Sequence, residues 1–139
     1  MKRRSFFMEH QSFVRTRFCE SDALGHINNV SFFIYLEQAR VDFFMDTQIL
    51  ENLQDWSFVA ASAHCDFKKQ AFVNQSLVVK TWVSHIGRTS VKLKHQILDQ
   101  TNEELIAEGE VVLVSYNVTG QKTEPLSEQI KEKLKLYTI

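Results

Sequence analysis

The stretch that most limits what this chain can become is residues 28–46, NNVSFFIYLEQARVDFFMD. Plotted at ~100° per residue, Val30, Phe33, Ile34, Val41 and Phe44 fall on one stripe, and Phe32, Leu36, Ala39 and Phe43 widen it. Only Ser31, Tyr35, Gln38 and Asp42 make a narrow polar side. A helix this apolar needs burial over most of its circumference. A single curved sheet wrapped around it supplies that, with a second subunit covering the remainder. At ~1.5 Å per residue the helix runs roughly 28 Å, and Asn28 is placed to cap it. Glu37 falls at the centre of the apolar stripe, so its carboxylate is expected to point at the core. A carboxylate there must be paired, hydrogen-bonded or protonated, and Arg40, one turn on, is the local candidate partner.

The rest of the chain reads as strands. Residues 11–19, QSFVRTRFC, alternate, with Phe13, Arg15, Arg17 and Cys19 on one side and Val14, Thr16 and Phe18 on the other. Further strands are predicted over residues 56–67, 76–86, 88–98 and 105–116. The alternation is clearest where Val91, Leu93, His95 and Ile97 share one face and Lys92, Lys94 and Gln96 the other. HIGRTS, with Gly87 in a tight turn, and DQTNEE supply hairpin connections. Pro125 and Ser127 open a short amphipathic helix ending near Tyr137. The order β-α-β-β-β-β-α favours an antiparallel sheet with the long helix packed on its face, an α+β fold.

Composition narrows the function. A chain of 139 residues with one Pro and four Gly shows no linker or repeat and is expected to form one domain over residues 1–139. Its formal net charge of −1, with signs interleaved, lacks the basic stripe that nucleic-acid binding demands. No run approaches the ~18 apolar residues that cross a membrane, and MKRRSFFMEH lacks the apolar core of a leader, so a cytoplasmic location is expected. Cys19 and Cys65 stand too far apart for a zinc knuckle or a disulfide framework and are expected to be reduced and half-buried.

The polar chemistry gathers just before the helix, in ESDALGHINN, residues 20–29. Asp22 stands four residues before His26, and Gly25 permits torsions closed to other residues. The first N–H groups of a helix have no intrahelical partner and sit at the positive end of its dipole, so the amide of Asn29 is a candidate oxyanion donor. A carboxylate beside preorganised donors is what acyl transfer requires. The same residues also fit a purely structural account, in which Asp22 closes an Asx turn, Asn28 caps the helix and His26 makes a structural hydrogen bond. Asp22, His26 and Glu37 could supply three metal ligands, but no HExxH or clustered histidine spacing accompanies them, and neither a metal nor another cofactor is expected.

Read as D-x-x-G-H-x-N-N-x-x-F-x-x-x-x-E-x-x-R, the segment Asp22, Gly25, His26, Asn28, Asn29, Phe32, Glu37, Arg40 resembles the signature of the hotdog-fold thioesterases of the 4-hydroxybenzoyl-CoA thioesterase-like family. The resemblance covers nearly the whole chain. It implies a five-stranded antiparallel sheet wrapped around one long helix, with two subunits joining sheets edge to edge in a homodimer or homotetramer and active sites at the interface. It further implies that Asp22 acts as nucleophile or general base, that the Asn29 amide polarises the thioester carbonyl, and that His26 and Glu37 shape the site. Gly25, Asn28 and Phe32 would contact substrate. Phe32 replaces the family's usual Tyr, and Gln70 and Asn74-Gln75 replace its usual Pro and Gly-Asp, changes that bear on the loop before the third strand and on acyl preference.

The implied substrate is an acyl thioester of CoA or of acyl carrier protein. Its arm carries phosphates that suit Arg88, Lys92 and Lys94, or Lys68 and Lys69, although solvated strand-edge charges serve equally to discourage aggregation. Two other functions fit the same residues. One is a hotdog dehydratase or hydratase using His26 and Glu37 for proton transfer; the other is a non-catalytic acyl-thioester binder.

Overall fold

The computed structural model of the chain describes residues 8–138, so the reading of the N-terminus falls largely outside the described residues. Strand β1 (His10–Arg15) leads through a 3-10 turn at Phe18–Glu20 to helix α1 (Asn29–Asp46). After a second 3-10 turn at Leu53–Asp55 come β2 (Phe58–Phe67), β3 (Ser76–Ile86), β4 (Ser90–Asp99), β5 (Leu105–Asn117), the two-residue β6 (Lys122–Thr123) and helix α2 (Glu128–Lys135). The five long strands form one antiparallel sheet in the order β1-β3-β4-β5-β2, with β6 hydrogen-bonded to β5. This is the curled sheet, long helix and short C-terminal helix that the sequence predicted.

Side chains override periodicity at the element ends. The first strand stops at Arg15 rather than Cys19, because the Arg17 main-chain N–H donates to the Glu20 side chain and the Glu20 N–H to the Arg17 carbonyl, closing the 3-10 turn. Cys19 is therefore exposed, not half-buried, while Cys65 is half-buried and both thiols are free. Residues 56–57 do not join β2, since the Trp56 N–H closes the turn onto the Leu53 carbonyl. β4 begins two residues later than expected, at Ser90, where the Gly87 N–H donates to its carbonyl at 2.7 Å. β6 was not legible in the sequence, for two residues carry no periodicity.

The alternation in β4 holds: Val91, Leu93, His95 and Ile97 are buried under α1, and the lysines lie on the opposite face. The helix itself is rotated from the expected position. Its buried residues are Ser31, Phe32, Tyr35, Leu36, Ala39, Phe43 and Phe44, whereas Val30, Phe33 and Ile34 are exposed. The inward face is thus turned by ~160° from the stripe of Val30, Phe33, Ile34, Val41 and Phe44, onto the flank formed by Phe32, Leu36, Ala39 and Phe43. Glu37 moves with it, and is exposed rather than aimed at the core. Among the described residues it forms no ion pair with Arg40, whose guanidinium is shifted down by burial and only partly restored by the nearby Glu37 charge.

Two apolar clusters fill the concave side. Phe43, Phe44, Leu50, Phe58, Leu93, Leu113 and Leu134 pack around the C-terminal half of α1, with α2 closing that end. Ile27, Phe32, Leu36, Leu77, Ile97 and Ile106 pack around its N-terminal half. The sheet admits the helix closely at Gly109, where a Cβ atom would stand 2.6 Å from Leu36 Cδ1. Gly109→Ala is accordingly expected to lower the unfolding free energy by ~1–3 kcal/mol, as overpacking does, measurable by urea denaturation.

His95 is one of the polar residues buried in this core. It is 2% exposed, its Nδ1 pairs with the Thr81 hydroxyl at 2.9 Å, and its Nε2 has no partner among the described residues. Burial, reinforced by the Arg40 charge, pushes its pKa from 6.5 down to about 3. The folded state therefore keeps it neutral while the unfolded chain protonates it. Its contribution is full above pH 6.5 and is lost as pH falls toward about 3. Stability is expected to drop by about 1.4 kcal/mol per pH unit below that point, or about 2 kcal/mol by pH 5. His95→Gln should flatten this slope in denaturant titrations run at successive pH values, and an equal slope in both proteins would contradict the assignment.

Candidate active site

Between the 3-10 turn and α1, residues 21–27 fold back on themselves. Ser21 and Ile27 form an antiparallel bridge, and the Asp22 N–H donates to the His26 carbonyl at 2.8 Å. Gly25 makes the reversal possible at φ +82°, with its N–H donating to the Asp22 carbonyl at 3.1 Å. The Asp22 side chain holds the turn from inside: Oδ1 accepts the N–H of Leu24 at 2.8 Å and of His26 at 3.2 Å. This is the Asx geometry that the structural account anticipated. It occupies one oxygen only. Oδ2 has no hydrogen bond among the described residues, and the side chain is exposed.

His26 is half-buried, with its ring edge-on to Phe72 at 5.2 Å and 78°. Its backbone bridges to the same residue, and the Ile27 N–H donates to the Ala71 carbonyl at 2.8 Å, so the loop is sewn to the segment before β3. Asn28 caps α1 as expected, its side-chain oxygen accepting the Ser31 N–H at 2.8 Å. Asn29 is the first helical residue, exposed, and its N–H has no acceptor among the described residues. Together with Phe32, Phe67, Lys68, Lys69 and Gln70 it lines a cleft of about 180 Å³.

Lys68 and Lys69 at this cleft are drawn toward carboxylates of the neighbouring strand, Lys68 to Glu108 at 3.8 Å and Lys69 to Glu104 at 2.6 Å. Glu37 lies eight residues along α1 from Asn29, ~12 Å at the helical rise, on the solvent side. Arg88 and Lys92 are not gathered with Asp22 within the chain. Arg88 follows β3, whose ten steps from Ser76 span ~33 Å, and Lys92 lies opposite Val112 and His85 on the face turned away from α1.

Two residues at the site went unread in the sequence. Glu20 is buried at 6% exposure, and Tyr35, assigned to the polar side of the helix, is buried beside it. The Tyr35 hydroxyl donates to Glu20 Oε1 at 2.6 Å, and Arg17 donates from Nε at 3.0 Å and Nη2 at 2.8 Å to Oε2. Burial pushes the Glu20 carboxyl up, but the bonds from Tyr35 and Arg17 outweigh it and hold the group below its usual range. Burial and the Glu20 contact both raise the Tyr35 hydroxyl, which stays a donor. The signal lay in the spacing of Phe32, Leu36, Ala39 and Phe43: taking that stripe as inward carries Tyr35 in with it.

Residues 14–134 match the family model of the thioesterase-like superfamily. The chain belongs to that family. A predicted thioesterase from Bacillus stearothermophilus superimposes with a TM-score of 0.86 at 26% identity, covering 95% of this chain and 98% of that one. A thioesterase from Thermus thermophilus, solved with coenzyme A and zinc, superimposes at 0.79 with 31% identity over 90% of this chain and 91% of its own. The long-chain acyl-CoA thioesterase FadM of Escherichia coli (strain K12) is 21% identical over 126 residues, 89% of this chain and 96% of FadM. Among the described residues no cluster of three His, Cys, Asp or Glu side chains is arranged to hold a metal ion, and no helix is long and apolar enough to cross a membrane.

The helix start at Asn29 depends on its cap. Asn28→Ala removes the acceptor for the Ser31 N–H and is expected to cost about 1 kcal/mol of stability, read from the shift in urea midpoint.

Proposed function

We propose that this chain hydrolyses acyl thioesters, carried on CoA or on acyl carrier protein, to a carboxylic acid and a free thiol. The observation that carries the reading is the half-used carboxylate of Asp22. One oxygen is held by backbone N–H groups and the other is open, in a loop that runs directly into the unsatisfied helix start at Asn29. In the reaction the open oxygen attacks the thioester carbon, or takes a proton from the water that does. The carbonyl oxygen gains negative charge and is stabilised by the Asn29 N–H at the positive end of α1. Collapse expels the thiolate, which takes up the proton released by the water; on the nucleophilic route that water cleaves the acyl–Asp22 anhydride in a second step, freeing the carboxylic acid and restoring the carboxylate. His26 and Gly25 shape the turn, Asn28 orients the helix start, and Phe32 and Phe67 offer an apolar wall to the acyl group.

A dimer built on β2 would complete this site. β2 is a ten-residue edge strand with one side unpaired, and beside it Val30, Phe33, Ile34, Val59 and Phe67 are exposed. Such an edge is a template for pairing. A homodimer, or a homotetramer of such dimers, made by antiparallel pairing of two β2 strands would cover these residues and bring Glu37 of both helices to the interface. Pairing about the middle of β2 sets the Phe58 end of one copy beside the Phe67 end of the other. Phe58 is opposite Ser115, whose N–H donates to the Thr89 carbonyl, so Arg88 of the second copy would reach the cleft of the first. Its guanidinium suits the phosphates of a CoA or pantetheine arm.

Thiol release from short, medium, long and aromatic acyl thioesters, on CoA and on carrier protein, tests the reading. Asp22→Asn is expected to lower kcat by at least ~10²-fold with fold and oligomer retained, and undiminished hydrolysis of every substrate by that variant would refute it.

A further inference from the structure

Glu20 stands two residues before Asp22, and its contacts reach both the entry to the loop and the start of α1. Its side chain accepts the Arg17 main-chain N–H at 2.8 Å, the Arg17 guanidinium at 2.8 and 3.0 Å, and the Tyr35 hydroxyl at 2.6 Å. Its carbonyl accepts the Asn28 N–H at 2.9 Å and the Ser31 hydroxyl at 3.3 Å. One residue thus fastens the entry to the loop, its exit at the helix cap, and the first two turns of α1. By contrast, Asp22 is held through its own short turn, and nothing else among the described residues ties its carboxylate to the helix. The placement of that carboxylate relative to the Asn29 N–H thus depends on Glu20 together with the stitches from His26 and Ile27 to Phe72 and Ala71.

We propose that Glu20, braced by Tyr35 and Arg17, is a positioning residue of the site: its buried carboxylate locks the Asp22 loop onto the start of α1. The inference rests on the thioesterase reading for its kinetic consequence, but not for its structural one. Ionised Glu20 accepts all four donors at once, and a neutral side chain of the same length cannot, since an amide would turn its own N–H groups toward Arg17 or Tyr35. Displacement of a reacting group by about 1 Å costs on the order of 10²-fold in rate. A loosened brace is therefore felt in turnover before it is felt in binding.

Glu20→Gln risks misfolding, so the decisive variants are Tyr35→Phe and Arg17→Ala, which remove one hydrogen bond and one exposed guanidinium from the brace. In each, kcat is expected to fall about tenfold with KM within twofold of wild type, because the loss is of alignment rather than affinity. Hydrogen exchange at the Leu24 and His26 amides, which donate to Asp22, should quicken at least tenfold while the core of the sheet stays protected. Unchanged exchange in both variants, or a raised KM at wild-type kcat, overturns the proposal. If instead the wild-type protein releases no thiol, the thioesterase reading fails and the exchange rates alone decide whether Glu20 positions the loop.

Discussion

Everything that matters in this molecule hangs on how one face of α1 meets the concave sheet. Phe32, Leu36, Ala39 and Phe43 press inward, and Leu36 sits close against Gly109, where no side chain intervenes. That contact, with the two apolar clusters, holds the helix at its depth and rotation. The rotation then decides which residues are offered to water or to a second copy, and it delivers Tyr35 to Glu20. A helix with the Val30, Phe33 and Ile34 stripe inward would bury Glu37, expose Tyr35, and leave the loop ahead of it without its brace.

In the loop the two oxygens of the Asp22 carboxylate are used unequally. Asp22 Oδ1 accepts two backbone N–H groups, which fixes the direction of the side chain, while Oδ2 has no hydrogen bond among the described residues. An Asx turn of this kind is compatible with the reactive role proposed for Asp22. The same division appears at the helix start, where Asn28 satisfies the Ser31 N–H while that of Asn29 has no acceptor among the described residues.

Much of the fold was legible because it follows from periodicity. Strand β3 runs over the predicted residues, and β4 alternates as read, since a strand with one face under a helix must alternate. The helix began and ended as predicted because Asn28 caps it and Gln48 at φ +60° lies just beyond it. Element ends were less legible, because side-chain bonds such as Arg17 to Glu20 decide them one by one. At the site, the motif exposed Asp22, Gly25, His26, Asn28 and Asn29 together, as neighbours in sequence must stay near one another. Glu20 and Tyr35 escaped, being fifteen residues apart and joined only by packing. Arg88 lies at the opposite end of the sheet, which no reading of local chemistry foretells.

By itself, then, the amino-acid order determined the succession of strands and helices, the family, and the location of the polar loop at the mouth of an apolar helix, because each is a property of local spacing. Only the tertiary structure decided which of two apolar stripes turns inward, since both satisfy the same 3.6-residue period. A gap in the sheet at Gly109 and a buried acceptor at Glu20 break that tie, and each lies on a different element from the helix it orients.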